Sequence, residues 1–185
     1  MKRFTALLLT VLAVIALLTG CSSKRPAFVG MALSDYSDKN TAAVYDEFKK
    51  LVENEDNAKA LNSIAIFPKF NDGKGDNAIQ SDQLDVIIEQ KPDVLCIDFI
   101  DPSSAEKYLS AAAEKEIPVI LFGSAPSSDI VNKYDGVILI ANDKSDSAKI
   151  AKAIYDICAN LGDKKEALDS TGYSFESDGH TLKIA

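Results

Sequence analysis

The chain has 185 residues, 46% of them hydrophobic and 26% charged. That is the balance of one ordinary globular domain or two very small ones, and it excludes a disordered or low-complexity polymer. With 20 Lys and Arg against 28 Asp and Glu, the net charge is -8, so nucleic acid is excluded as a partner, because phosphate contacts need clustered Lys and Arg. One histidine, His180, and three cysteines leave little for a zinc site or a Ser-His-Asp triad, and no catalytic residue, metal or cofactor is predicted.

Lys2 and Arg3 precede an apolar run from Phe4 to Leu18. The run is shorter than the roughly 20 residues a membrane-spanning helix needs. It reads as the core of a secretory signal peptide. It ends in Leu18-Thr19-Gly20-Cys21, followed by Ser22 and Ser23. That spacing resembles a bacterial lipobox, in which the thiol of Cys21 takes a diacylglyceryl group. The expected division is a signal peptide over 1–20, a lipidated linker over 21–27, a lobe over 28–162 and a tail over 163–185. The protein is expected to be exported and anchored to the cell membrane through its lipid, facing the periplasm or the cell exterior. Two or three acyl chains hold such an anchor where one does not. Cys96 and Cys158 remain after processing. Two cysteines in an exported protein can pair, but both sit in apolar patterns that favour buried free thiols.

The rest alternates strands and helices. Phe28 to Leu33 is an apolar run that reads as a buried strand. Ala43, Val44, Phe48, Leu51 and Val52 mark a helix over Asn40–Asn54. Ser63 to Phe67 reads as a second strand closed by Pro68, and 71–76 as a Gly/Asp-rich loop. Ile79, Leu84, Ile87 and Ile88 mark a helix over Ala78–Gln90, and Asp93 to Phe99 a third strand. Ser103 or Ser104 is positioned to cap a helix over Ala105–Lys115, with Glu106 in its first turn. Pro118 to Phe122 and Gly136 to Ala141 are the fourth and fifth strands. A last helix spans Ser145–Leu161, ended by Gly162. The tail from Thr171 alternates weakly and predicts a hairpin or a strand along the sheet edge.

Five apolar strands separated by helices specify βαβ units. The fold class is α/β, a three-layer, doubly wound, mostly parallel sheet. Ligands in such sheets bind at the carboxyl ends of the strands. The residues there are Ser34, Asp35 and Asp38 after the first strand, Asp98 and Asp101 around the third, and Gly123 and Ser124 after the fourth. The stretch Ser34-Asp35-Tyr36-Ser37-Asp38 has no glycine, so no nucleotide cofactor is predicted. Asp72, Lys74 and Asp76 lack the EF-hand ligand pattern and read as a solvated acidic loop. His180 reads as a surface residue of the tail.

Three segments carry a resemblance in combination. Gln80-Ser81-Asp82-Gln83-Leu84-Asp85, Leu95-Cys96-Ile97-Asp98-Phe99-Ile100-Asp101-Pro102 and Pro118-Val119-Ile120-Leu121-Phe122 resemble the amino-terminal lobe of the sugar-binding proteins of bacterial ABC importers. Within them the closest likeness is to the D-galactose/D-glucose-binding family. Ala151 to Leu161 is similar to that family's last long helix, and Thr171-Gly172-Tyr173 to the tail after it. The middle, which would form the second lobe, has no counterpart. The resemblance therefore implies a single lobe of a type I periplasmic binding protein, with residues 124–141 bridging the gap and the fifth strand a remnant of the absent lobe.

The resemblance also implies a half-site. Asp38 matches an aspartate that accepts sugar hydroxyls, for which a carboxylate is suited; it reads equally as the N-cap of the first helix. The family's stacking aromatic falls at Asn40, with Tyr36 nearby as a substitute. Asp98 stands where the family has an asparagine, and reads equally as a solvent-facing strand-end aspartate. The implied ligand is a small polar molecule, a hexose, and the implied partner is an ABC permease. A two-lobed protein encloses its ligand by hinge closure, whereas one lobe buries less of it. Binding is therefore expected to be weak, or to need a second wall that a homodimer would supply. The rival reading is an accessory lipoprotein that kept the lobe and lost the sugar. No nucleophile–base pair is visible, so an enzyme is not predicted.

Overall fold

The computed structural model describes residues 25–54, 65–140, 146–159, 174–176 and 178–183. The signal peptide, Cys21, Gly162 and the Thr171-Gly172-Tyr173 segment lie outside these residues. In chain order the strands are β1 (Ala27–Leu33), β2 (Ile66–Asp72), β3 (Val94–Ile97), β4 (Val119–Leu121), β5 (Val137–Ile140), β6 (Ser174–Phe175) and β7 (Thr181–Lys183). The helices are α1 (Lys39–Glu53), α2 (Asn77–Glu89), α3 (Ala105–Glu114), the short α4 (Ser128–Val131) and α5 (Ser147–Ala159). A 3-10 turn over Pro102–Ser104 leads into α3. None of the described helices is long and apolar enough to cross a membrane.

The strands form one sheet in the order β2-β1-β3-β4-β5-β7-β6, parallel except where β6 meets β7. Successive side chains point to opposite faces, and the core divides accordingly. Val29, Met31 and Leu33 of β1, Val94 and Cys96 of β3 and Ile120 of β4 face Phe48 of α1 and Ile150, Ile154 and Cys158 of α5. Ala32, Leu95, Ile97, Val119 and Leu121 face Leu84, Ile87 and Ile88 of α2 and Tyr108 and Leu109 of α3. This is the three-layer α/β architecture expected of a single type I binding-protein lobe. Cys96 and Cys158 are both free and buried on the α1/α5 side. Burial, followed by the hydrogen bond from Cys158, pushes the Cys96 thiol well above its ordinary value. A thiol reagent should therefore label neither cysteine in the native protein and both after denaturation; rapid native labelling would contradict the packing.

Several boundaries differ from expectation. Pro68 does not close β2 but sits inside it, and the strand runs on through Asn71 and Asp72. The reason is position: β2 is an edge strand, where a residue without an N–H is tolerated. The α3 helix begins differently as well. Ser104 makes no side-chain cap; its hydroxyl donates to the Asp101 carbonyl at 2.7 Å, and Asp101 caps the 3-10 turn through Ser103 N at 2.9 Å. β5 is an inner strand between β4 and β7, in parallel register with Val119–Leu121.

The tail satisfies both of its alternatives, since β6 and β7 form a hairpin and β7 extends the sheet beside β5. His180 is half-buried rather than a plain surface residue, its Nδ1 lying 3.0 Å from the Val137 carbonyl. Asp178 holds the turn, accepting from His180 N and Thr181 N at 2.9 Å each and from the Thr181 hydroxyl at 2.7 Å. The Thr181 backbone and hydroxyl bonds chiefly lower its pKa to about 2. A carboxylate depressed in the folded state stabilises above its unfolded pKa, and that contribution fades as pH falls towards the folded value. The Thr181 and His180 amides should thus lose exchange protection between about pH 4 and pH 2, and an Asp178→Ala variant should lack that step. Unchanged protection across this range would remove Asp178 from the turn's support.

Candidate functional site

The sheet order reverses at the β1/β3 boundary. From β1 the chain goes outward to β2, then crosses back over β1 to β3. The crevice at such a switch point is where doubly wound sheets hold ligands. Ser34 and Asp98, the first residues after β1 and β3, meet there. The Ser34 hydroxyl donates to Asp98 Oδ2 at 2.6 Å, and the Thr41 hydroxyl of α1 donates to the same oxygen at 3.1 Å. From the β4 exit, Ser124 N donates to Asp98 Oδ1 at 2.8 Å. Asp98 is 4% exposed, so it is not the solvent-facing aspartate that its place at a strand end also allowed. It is a three-way tie between β1, α1 and the segment after β4.

Gly123 makes room for that tie. Its φ is +70°, and a Cβ there would lie 2.2 Å from Asp98 Oδ1. No side chain fits between this backbone and the carboxylate.

Behind the tie lies a second one. Gln80, on the first turn of α2, is 1% exposed. Its Nε2 donates to the carbonyls of Leu33 at 3.1 Å and Asp98 at 2.8 Å, and its Oε1 accepts from Ile100 N at 2.9 Å. One buried amide satisfies three backbone groups and holds the ends of β1 and β3 at a fixed spacing. The Gln80-Ser81-Asp82-Gln83 segment therefore braces the cavity from beneath; Gln80 is not among the residues that line it.

The cavity above Asp98 has a volume of about 250 Å³. Ser34, Thr41, Ser124 and Ser147 bring hydroxyls to it, Asn40 an amide, and Asp38 and Asp98 carboxylates; Val44, Phe122 and Ile150 give it an apolar side. Among the described lining residues there is no Lys, Arg or His. The first turns of both α1 and α5 border it, so two positive helix ends face a wall carrying two carboxylates.

Three of the four predicted ligand residues come together here. Asp38 lines the cavity and also caps α1, its Oδ1 accepting from Asn40 N at 3.0 Å and Thr41 N at 2.9 Å. The N-cap is thus observed, on a side chain that also borders the cavity. Asn40 lies beside it on the same turn. Tyr36 is not brought to the cavity, which corrects its placement as a substitute stacking residue. Its hydroxyl donates to Asp46 at 2.8 Å, a bond that raises its pKa, and its ring packs edge-on against Tyr45 and Phe70. That aromatic cluster draws the ring away. Asp35 and Asp101 are absent from the lining as well, each accepting from a backbone N–H two residues on. In the acidic loop Asp72 accepts from Tyr36 N and Lys74 N, and Asp76 caps α2.

Thr41 and Ser147 are not among the residues the sequence points to, and Gln80 stands there only as part of a resembling segment, without its bracing role. Thr41 and Ser147 lie in the first turns of helices that follow strands, the positions a parallel sheet aims at its carboxyl edge. That placement was the available signal.

The model of the periplasmic binding protein domain matches residues 29–151. The chain belongs to that family. Several solved structures share the fold. An ABC transporter solute-binding protein from Bacillus halodurans C-125, with bound myo-inositol, superposes with a TM-score of 0.50 at 20% identity, covering 68% of this chain and 38% of that one. A protein from Brachyspira murdochii described as an ABC transporter, LacI family transcriptional regulator, gives 0.51 at 21% identity, over 80% and 41%. A solute-binding protein from Thermobispora bispora DSM 43833 gives 0.50 at 18% identity, over 63% and 34%. This periplasmic binding protein domain therefore spans less than half the length of these relatives.

Proposed function

We propose that this chain is a lipid-anchored, extracytoplasmic solute-binding lobe related to the sugar-binding component of an ABC importer. In this reading it holds a small polyhydroxyl ligand, a hexose or a close relative, weakly at the β1/β3 crevice. The observation that carries the reading is the cavity itself. Hydroxyls, an amide and carboxylates converge at the topological switch point beside an apolar side, the mixture that recognises a sugar's rims and faces. Family membership and the myo-inositol in the Bacillus halodurans protein support it. Cys21 carries the lipid, and a permease of the importer class is the partner. A homodimer would supply the second wall that one lobe lacks. The chain performs no catalysis.

Calorimetric titration with D-galactose, D-glucose and myo-inositol tests this reading. Binding in the high micromolar to millimolar range is expected, and silence at millimolar ligand with a folded protein would contradict it. Asp38 separates its two roles by substitution. Asp38→Ala should lose about 1 kcal/mol of stability through the lost cap together with binding. Asp38→Ser keeps a capping oxygen, so it should hold stability and still lose at least tenfold in affinity. Retained affinity in Asp38→Ser would reduce Asp38 to a cap.

A second reading, an accessory lipoprotein that has lost sugar binding, is favoured by one observation. The superposition covers 38% of the length of the Bacillus halodurans protein with its bound myo-inositol, so the likeness extends over only part of a sugar-binding fold.

A further inference from the structure

The hydrogen bonds around Asp98 fix what the cavity can recognise. A hydroxyl has one proton and two lone pairs, and an ionised carboxylate accepts only. The Ser34 and Thr41 hydroxyls both give their single proton to Asp98 Oδ2. What they turn towards the cavity is lone pairs. Asp38 adds a further carboxylate to the same wall, and no Lys, Arg or His joins it among the described lining residues.

We infer that Asp98 is a positioning residue that sets Ser34 and Thr41 as hydrogen-bond acceptors, so that the cavity selects ligands by the protons they donate. This inference rests on the proposed reading of the crevice as the ligand site and names its ligand class. The favoured ligands are neutral polyols and ammonium-bearing polyols. Phosphorylated and carboxylated sugars are rejected, because they bring acceptors and negative charge to an acceptor wall whose two carboxylates outweigh the charge of roughly +0.5 at each helix end. A hydroxyl replaced by fluorine is rejected at the position facing Ser34 and Thr41, because the ligand's proton is gone while the wall's lone pairs stay unpaired.

The substitution Asp98→Asn reverses this wall without changing its shape. Ser124 N must still find an acceptor, so the amide oxygen takes the Oδ1 place and the NH2 group takes that of Oδ2. Its two protons match the two hydroxyl oxygens that lie there. Ser34 and Thr41 then accept from the amide and turn their own protons to the cavity.

The test compares wild type, D98N, T41V and S34A by calorimetry, with myo-inositol, its monofluoro-deoxy analogues and myo-inositol 1-phosphate as probes. Wild type should bind myo-inositol, lose about tenfold for at least one fluoro analogue and show no binding of the phosphate. D98N should bind the parent about tenfold more weakly and discriminate the fluoro analogue by less than about twofold. If D98N does not fold, T41V and S34A carry the test, each weakening the parent with reduced fluoro discrimination. Unchanged discrimination in every variant would overturn the inference.

A readout independent of ligand keeps the two claims apart. Proton NMR at low temperature should show a slowly exchanging Thr41 hydroxyl proton in wild type that is lost in D98N. If that proton is present and no probe binds, the ligand-site reading fails and the polarity assignment stands. If it exchanges at the rate of a solvated hydroxyl, the polarity assignment fails whatever binds.

Discussion

Gly123→Ala is expected to lower folding stability by about 2–5 kcal/mol. Two costs add. The residue has φ +70°, a left-handed conformation that costs an L-residue roughly 1–2 kcal/mol. The new Cβ would also lie 2.2 Å from Asp98 Oδ1, so the carboxylate must move and loosen its bond from Ser124 N, at about 1–3 kcal/mol. The two parts are separable. In an Asp98→Ala background the collision disappears and only the conformational cost remains, so the double variant should be less destabilised than the sum of the singles. Urea denaturation measures all four proteins. A Gly123→Ala midpoint within error of wild type would mean that the segment after β4 is not held against Asp98.

Gln80→Leu is expected to cost about 3–4 kcal/mol. The change roughly keeps the volume and removes every hydrogen bond of the amide, leaving the Asp98 carbonyl and Ile100 N without this partner and the Leu33 carbonyl with Gly73 N alone. Each buried group left unpaired costs about 1–3 kcal/mol, of which relaxation and water recover a part. Gln80→Glu adds a pH signature. An ionised carboxylate at a 1% exposed position, facing two carbonyl oxygens, is disfavoured, so the folded protein holds the acid protonated. The raised folded pKa makes this variant most stable at low pH. Its stability relative to wild type should fall as pH rises above the unfolded value of about 4.3. A flat difference between pH 4 and pH 7 would contradict the brace.

These two residues show which parts of the structure were legible in the sequence. The strands announced themselves because each inner strand is buried on both faces and reads as an apolar run. The helices did so because Val44, Phe48, Ile150 and Ile154 recur at the spacing that one covered face requires. Pro68 misled because its tolerance depends on lying in an edge strand, a fact of the assembled sheet rather than of its neighbours in the chain. Ser104 misled because Asp101 captured its hydroxyl's role through the 3-10 turn.

The site was legible as a place and not as a network. Asp38, Asp98 and Ser124 were locatable because topology sends the ends of parallel strands to one edge. The partners of Asp98 were not, since Thr41 and Ser34 are 57 and 64 positions away along the chain. Local pattern carries no record of contacts at that separation. The fate of Tyr36 has the same cause. A loop tyrosine beside a crevice points into it or away from it according to what else is near, and here Tyr45 and Phe70 are.

The most direct test of the account is a two-dimensional amide NMR titration of the wild-type protein with myo-inositol to millimolar concentration. Saturable shifts are expected, confined to Ser34, the start of α1 from Asp38 to Val44, Asp98, Gly123, Ser124 and Ser147. Shifts centred away from this edge of the sheet, or none at all from a folded protein, would contradict it.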